Sequence, residues 1–256
     1  MMYQSVVQLH SRANSLVTKF QQEGGRNYIG EAVVLDREAL ELCPPGHPKR
    51  YLSLNELARY LCDRHKQFGG MTDLEEAVVH GRNTLALCTV RYPGRSMSLS
   101  NLSLYLSTRY RRLGAMEDLR EAIVLARDVL ALHPPGHPDR SQSLNNLSLN
   151  LITRYNQLGA MEDLNEAIFP ARDALALRPS GHLDRSLSLN NLALFLSFRY
   201  KQFGAMEDLN EAIVLARDSV ASPTGTRAPR SVKIFERPFV FPLHSVPATR
   251  GDGGPQ

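Results

Sequence analysis

Met71, Met116, Met161 and Met206 stand 45 residues apart at each step, and the sequence around each is nearly the same. Residues 144–174, LNNLSLNLITRYNQLGAMEDLNEAIFPARDA, lie over residues 189–219, LNNLALFLSFRYKQFGAMEDLNEAIVLARDS, without a gap. A period of this size constrains the fold more than any other feature. Each unit is too small to bury its own apolar face and must cover it with the next copy, which predicts a stacked array in place of one globular core. Five copies follow, over 5–49, 50–94, 95–139, 140–184 and 185–221, with a Pro/Gly-rich tail over 222–256.

Inside each copy the apolar spacing is helical. Leu144, Leu147, Leu151, Tyr155 and Leu158 recur as one helix face, and Gly159 (with Gly69, Gly114 and Gly204) stands where a residue without Cβ lets a helix end. A second helix follows, with Leu164, Ala167, Ile168, Ala171, Ala174 and Leu175 on one face; its small residues allow close approach. The spacing of Asp163 to Glu166, repeated at Asp73/Glu76, Asp118/Glu121 and Asp208/Glu211, reads as a capping box opening that helix. Pro170, where other copies carry His80, Leu125 and Leu215, predicts a kink or local unwinding of the fourth second helix. Connectors such as HPPGHPD (133–139) and RPSGHLD (178–184) pass the chain to the next hairpin. The expected fold is all-α, a right-handed α-solenoid of antiparallel helix pairs. The first copy lacks the Asn pair and departs most from the others, as expected of a repeat that closes one end of a stack.

No apolar run reaches the roughly 18 residues that a membrane span needs, and the N-terminus carries no basic-then-apolar leader. A cytoplasmic protein is the expectation. The formal charge of +4 resides largely in the tail, which holds five basic and two acidic residues, so no basic face runs along the repeats and nucleic acid is not the expected partner. With six prolines and no helical period the tail reads as disordered, and Pro238 and Pro242 argue against a strand at 239–241. Cys43, Cys62 and Cys88 show no metal-type spacing and read as small apolar residues.

The pattern also carries a family resemblance. Ala167, Ala174 and Pro179, with Asn146-Leu147 in the first helix, resemble the tetratricopeptide (TPR) signature. The wording LNNLA with HPDRS resembles the long-repeat type of kinesin light chains. The fuller pattern GHPDRS-x-SLNNLA…RY-x-Q-x-G-x-MEDL-x-EAI resembles the arrays of large fungal proteins, in which a caspase-like CHAT peptidase domain often follows. No catalytic domain is present in this sequence, so peptidase activity is not carried over.

No enzyme motif emerges: there is no phosphate-binding glycine loop and no nucleophile elbow. No cofactor is expected. His47, His137 and His182 recur in the connectors, one each, and read as packing residues without a metal set. Arg64, Arg109, Arg154 and Arg199 read as partners of acids on the adjacent helix. Opposite the apolar face of the fourth first helix lie Asn146, Asn150, Thr153 and Gln157. In TPR arrays the first helices line the concave groove, and the resemblance assigns peptide contacts to Asn101, Asn146 and Asn191. One turn on, Tyr60, Tyr105, Asn150 and Phe195 serve either as anchors for a partner or as packing between repeats. The expected function is a scaffold that binds a protein segment or docks a partner domain. The alternative is a regulatory fragment or paralogue of a CHAT-type peptidase; nucleic-acid binding through the tail ranks below both. Self-association through the apolar face of the last copy is a further expectation.

Overall fold

A computed structural model describes residues 2–89, 92 and 94–221. Its ten helices alternate as first and second members of five hairpins: α1 (Met2–Glu23) with α2 (Arg26–Glu41), α3 (Arg50–Phe68) with α4 (Met71–Leu87), α5 (Arg95–Leu113) with α6 (Met116–Leu132), α7 (Arg140–Leu158) with α8 (Met161–Ala176), and α9 (Arg185–Phe203) with α10 (Met206–Ala221). Each first helix packs on its own second helix and on the second helix of the preceding hairpin, so the fold is an all-α solenoid. Among the described residues there is no strand, and no helix is long and apolar enough to cross a membrane. The expectations for the tail fall outside the described residues.

The hairpin turn has the expected cause. Gly159 takes φ 70°, a conformation that costs little only without Cβ, and its N–H returns to the carbonyl of Tyr155 at 2.7 Å. The next helix, however, is not opened by a capping box. Its N-cap is Ala160, without a side-chain hydrogen bond, and Asp163 already lies in the first turn. Asp163 instead accepts a fork from Arg154 at 2.8 and 2.5 Å, as Asp73 does from Arg64, Asp118 from Arg109 and Asp208 from Arg199. The Arg reading therefore holds, and the acid is taken by the opposite helix of the hairpin. Glu166 leaves as well: it accepts from Arg127 of the preceding second helix at 2.6 Å. The pairs Arg37–Glu76, Arg82–Glu121 and Arg172–Glu211 continue this ladder at 2.6 Å each. These rungs are exposed, so each contributes little, roughly 0–1 kcal/mol.

The predicted unwinding at Pro170 does not occur, and α8 runs unbroken through it. Pro170 is buried against the stack, where packing offsets the missing N–H.

The connectors account for the HPDRS wording. His137 accepts the N–H of Asp139 at 3.1 Å through Nδ1, as His47 does from Lys49 and His182 from Asp184. Arg140 then donates to the carbonyl of His133 at 2.6 Å, closing the end of the preceding second helix; Arg50 and Arg95 do the same to Cys43 and Cys88, and Arg185 to Arg178. The imidazole thus shapes the connector and the guanidinium ties it to the helix behind.

Candidate functional site

The repeat-to-repeat interface consumes much of the surface that the sequence offered for recognition. Tyr60, Tyr105 and Phe195 are at most 1% exposed, so they fill the space between hairpins and cannot anchor a partner in this arrangement. Asn150 occupies the same register position and is also buried, donating to Ser103 Oγ at 3.2 Å in the preceding repeat. Asn191 is buried too, with its amide donating to Asn145 at 2.9 Å. These are corrections to the groove-facing expectation. The physical reason is that the residue one turn beyond the Asn of Asn-Leu points at the preceding second helix, while Asn191 itself is drawn to Asn145 on the preceding first helix.

Asn101 and Asn146 remain half-buried. Asn101 donates to Asn55 at 3.0 Å, an inter-repeat bond like that of Asn191, which leaves its carbonyl oxygen for other donors. Asn146 accepts from Gln142 at 2.8 Å. The residue one repeat back at the partner position of Asn55 and Asn145 is Ser100, too short to act as they do. A small cavity of about 10 Å³ results, lined by Ser100, Ser103, Ser143 and Asn146, about the size of one water. Thr153 is half-buried, and Gln157 is exposed with its amide oxygen accepting from Tyr110 at 3.2 Å.

The outward stripe of the first helices is displaced from the predicted one. It follows Gln142, Asn146, Leu149 and Thr153 in α7, and Met97, Asn101 and Leu104 in α5. Leu104, Leu149 and Leu194 repeat at 45 residues, one turn beyond the Asn row; Leu104 is 39% exposed and Met97 45%. Sequence reasoning passed over them because a leucine inside a leucine-rich helix reads as core. The available signal was register, since they stand three positions after the Asn. In α3 the stripe is charged: Glu56 and Arg59 pair at 2.5 Å. A shallow depression of about 310 Å³ lies between α3 and α4, among Arg50, Leu54, Asn83, Ala86 and Leu87. The stripe is thus charged in the second repeat and uncharged from the third onward, where Met97, Leu104 and Leu149 alternate with Asn101, Gln142, Asn146 and Thr153.

Two clusters carry chemistry-bearing groups, the first buried and the second running from buried His133 to exposed Asp139. His10 bridges Asp36 at 2.9 Å through Nδ1 and Ser53 Oγ at 3.0 Å through Nε2, the order of a hydrolytic relay. Asp36 and Ser53 are fully buried, so no scissile carbonyl can reach the hydroxyl, and the relay serves as a polar staple joining the first two repeats. The second cluster bears on the expectation of no metal set. His133, His137 and Asp139 bring donor atoms within 4.8 Å of one another. Counting one His per connector overlooked His133, which comes from the end of α6 in an H-x3-H-x-D pattern. All three cysteines are free and buried, and burial pushes the Cys62 thiol up to about 11, which makes it a poor nucleophile at neutral pH.

Known proteins agree with this architecture. The tetratricopeptide repeat model matches residues 95–139. Among solved structures, the array is similar to a protein of Podosopora anserina assigned to the kinesin light chains and built of nearly identical TPR-like repeats. Identity is 23%, coverage 84% of this chain and 97% of that one, and TM-score 0.59. MamA follows the same path at 12% identity, with 86% and 96% covered and TM-score 0.55. BtubC (BKLC) from P. vanneervenii does so at 14% identity, with 89% and 94% covered and TM-score 0.53. No protein of curated function matches in sequence.

Proposed function

We propose that this chain, a tetratricopeptide-repeat protein, is an interaction scaffold whose binding face is the outward stripe of α5, α7 and α9. One observation carries the reading: Met97, Leu104 and Leu187 are about two-fifths exposed beside the Asn row, although the neighbouring positions of the same helices are fully packed. Asn101 and Asn146 would hold the backbone of an extended segment while Met97, Leu104, Leu149 and Leu194 take its apolar side chains. Gln157 extends the polar rim.

Selection of extended peptides from a display library tests this. Binders recovered on the wild type should lose at least about tenfold in affinity against a folded L104S/N146A/L194S variant, a loss of about 1.4 kcal/mol. Unchanged affinity would remove the stripe from the function. The reading as a regulatory fragment of a CHAT-type peptidase is supported by the repeat wording alone; an added CHAT-domain relative that forms no complex with the chain would end it.

A further inference from the structure

The junction between the third and fourth repeats differs from the others in its side-chain chemistry. At the three corresponding positions the first junction carries Cys43, His47 and Lys49, the second Cys88, Tyr92 and Gly94, and the fourth Arg178, His182 and Asp184. The third carries His133, His137 and Asp139, so among these four junctions it alone puts a metal-ligating group at every position.

The hydrogen bonding around His133 assigns its tautomer. Ser143 Oγ donates to the carbonyl of Asp139 at 3.1 Å, which commits its proton. The same oxygen lies 2.7 Å from His133 Nδ1 and must accept there, so Nδ1 carries the ring proton and Nε2 a bare lone pair. That Nε2 is buried and has no hydrogen-bond partner in the protein, on a residue only 5% exposed. A buried acceptor left unpaired is destabilising. It is also the form of a metal-binding histidine, whose outer N–H is held by a protein acceptor while the other nitrogen faces the ion.

The fourth junction shows what the slot accommodates. Arg178 occupies the place of His133 and donates to Ser188 at 2.6 Å, as His133 does to Ser143, while its other terminal nitrogen lies 3.9 Å from Asp184. There a permanent cation sits beside the acid. In the third junction the acid and the connector imidazole are kept and the side-chain cation is replaced by a neutral nitrogen donor.

We propose that His133, His137 and Asp139 form a binding site for a divalent transition-metal ion of zinc-like preference, with a further coordination position open to solvent. Two imidazoles and one carboxylate match that class of ion. The two rings are stacked at 4.0 Å with 10° between their planes, and a shared ion needs lone pairs that converge in both planes. Binding therefore swings His137 off the stack and exchanges its 3.1 Å acceptance from Asp139 N–H for the metal. His137 sits half-buried in a connector and has that freedom, whereas His133 is fixed by Ser143. The ion would clamp the end of α6 to the start of α7.

The test is titration of the untagged full chain with Co²⁺, followed by visible absorption, and with Zn²⁺ by calorimetry. The expected result is one saturable site from which Zn²⁺ displaces Co²⁺. H133R and H137Y place residues that the chain already uses at Arg178 and Tyr92, so both should fold, as circular dichroism would verify, and each should weaken binding at least about 30-fold. S143A, which removes only the group orienting His133, should weaken it about tenfold. Absence of saturable uptake, or affinity within threefold of wild type in folded H133R or H137Y, would overturn the proposal.

Discussion

The two ends of the array handle the same problem differently. A first helix normally meets the preceding hairpin through Leu57 and Tyr60, Leu102 and Tyr105, Leu147 and Asn150, or Leu192 and Phe195, all buried. In α1 these two positions are Arg12 and Ser15, both exposed, with Arg12 paired to Glu31 at 2.8 Å. The last second helix has made no such change. Ile213 is 41% exposed, while Val33, Val78, Ile123 and Ile168 at its position are buried. Among the described residues no hairpin precedes α1, and the polar end shows which positions serve stacking, because those are the ones that differ there. The apolar end keeps the sequence of an interior repeat, and among the described residues α10 packs mainly on α9.

That comparison can be broken most sharply in the core. Leu102→Ala should lower stability by about 2–5 kcal/mol in urea unfolding, whereas Arg12→Ala at the equivalent position should stay within about 0.5 kcal/mol. Equal effects would mean that the first helix is stacked like the others. Next comes Arg199→Ala, which strips the partner from the largely buried carboxylate of Asp208. A loss of about 1–3 kcal/mol is expected, confined to α10, and hydrogen exchange should report faster opening there with α6 unchanged.

Acid should separate the ends in opposite directions. Burial raises the Asp36 carboxyl above its ordinary pKa despite His10, while the Arg199 fork holds Asp208 below its own. The stability Asp208 contributes is present above the ordinary carboxylate pKa and is lost as pH falls through its depressed value. For Asp36 the sign reverses: the folded state binds the proton more tightly, so its contribution grows as pH falls through the raised value. Carbon-13 titration of the two carboxyls should place Asp36 above Asp208; the reverse order would contradict the account. The smallest effect is expected for Ile213→Lys, within about 0.5 kcal/mol, where Ile168→Lys would unfold its repeat. A large loss at Ile213 would mean that something already covers α10.

The repeat, the hairpins, the glycine turns and the Arg–acid pairs were all legible from spacing, because each depends on residues close in sequence. Asp163 and Glu166 were not, since their spacing fits a capping box equally well and their true partners, Arg154 and Arg127, lie on other helices. Helix-face assignment failed for a similar reason. Asn146 and Asn150 sit one turn apart, yet only the second hydrogen-bonds the neighbouring repeat, because Ser100 stands where Asn55 and Asn145 serve Asn101 and Asn191. His133 was hidden because its slot holds Cys, Cys and Arg elsewhere, and chemistry confined to one copy is invisible when copies are averaged.

What the ends teach about stacking leaves the outward stripe of the first helices free for a partner. The second helices offer a rival row, Val34, Val79, Val124, Phe169 and Val214, each more than half exposed. Methyl NMR with a selected peptide distinguishes them most directly. The account predicts shifts at Leu104, Leu149 and Leu194 with Val79 and Val124 unmoved; shifts confined to the valine row would contradict it.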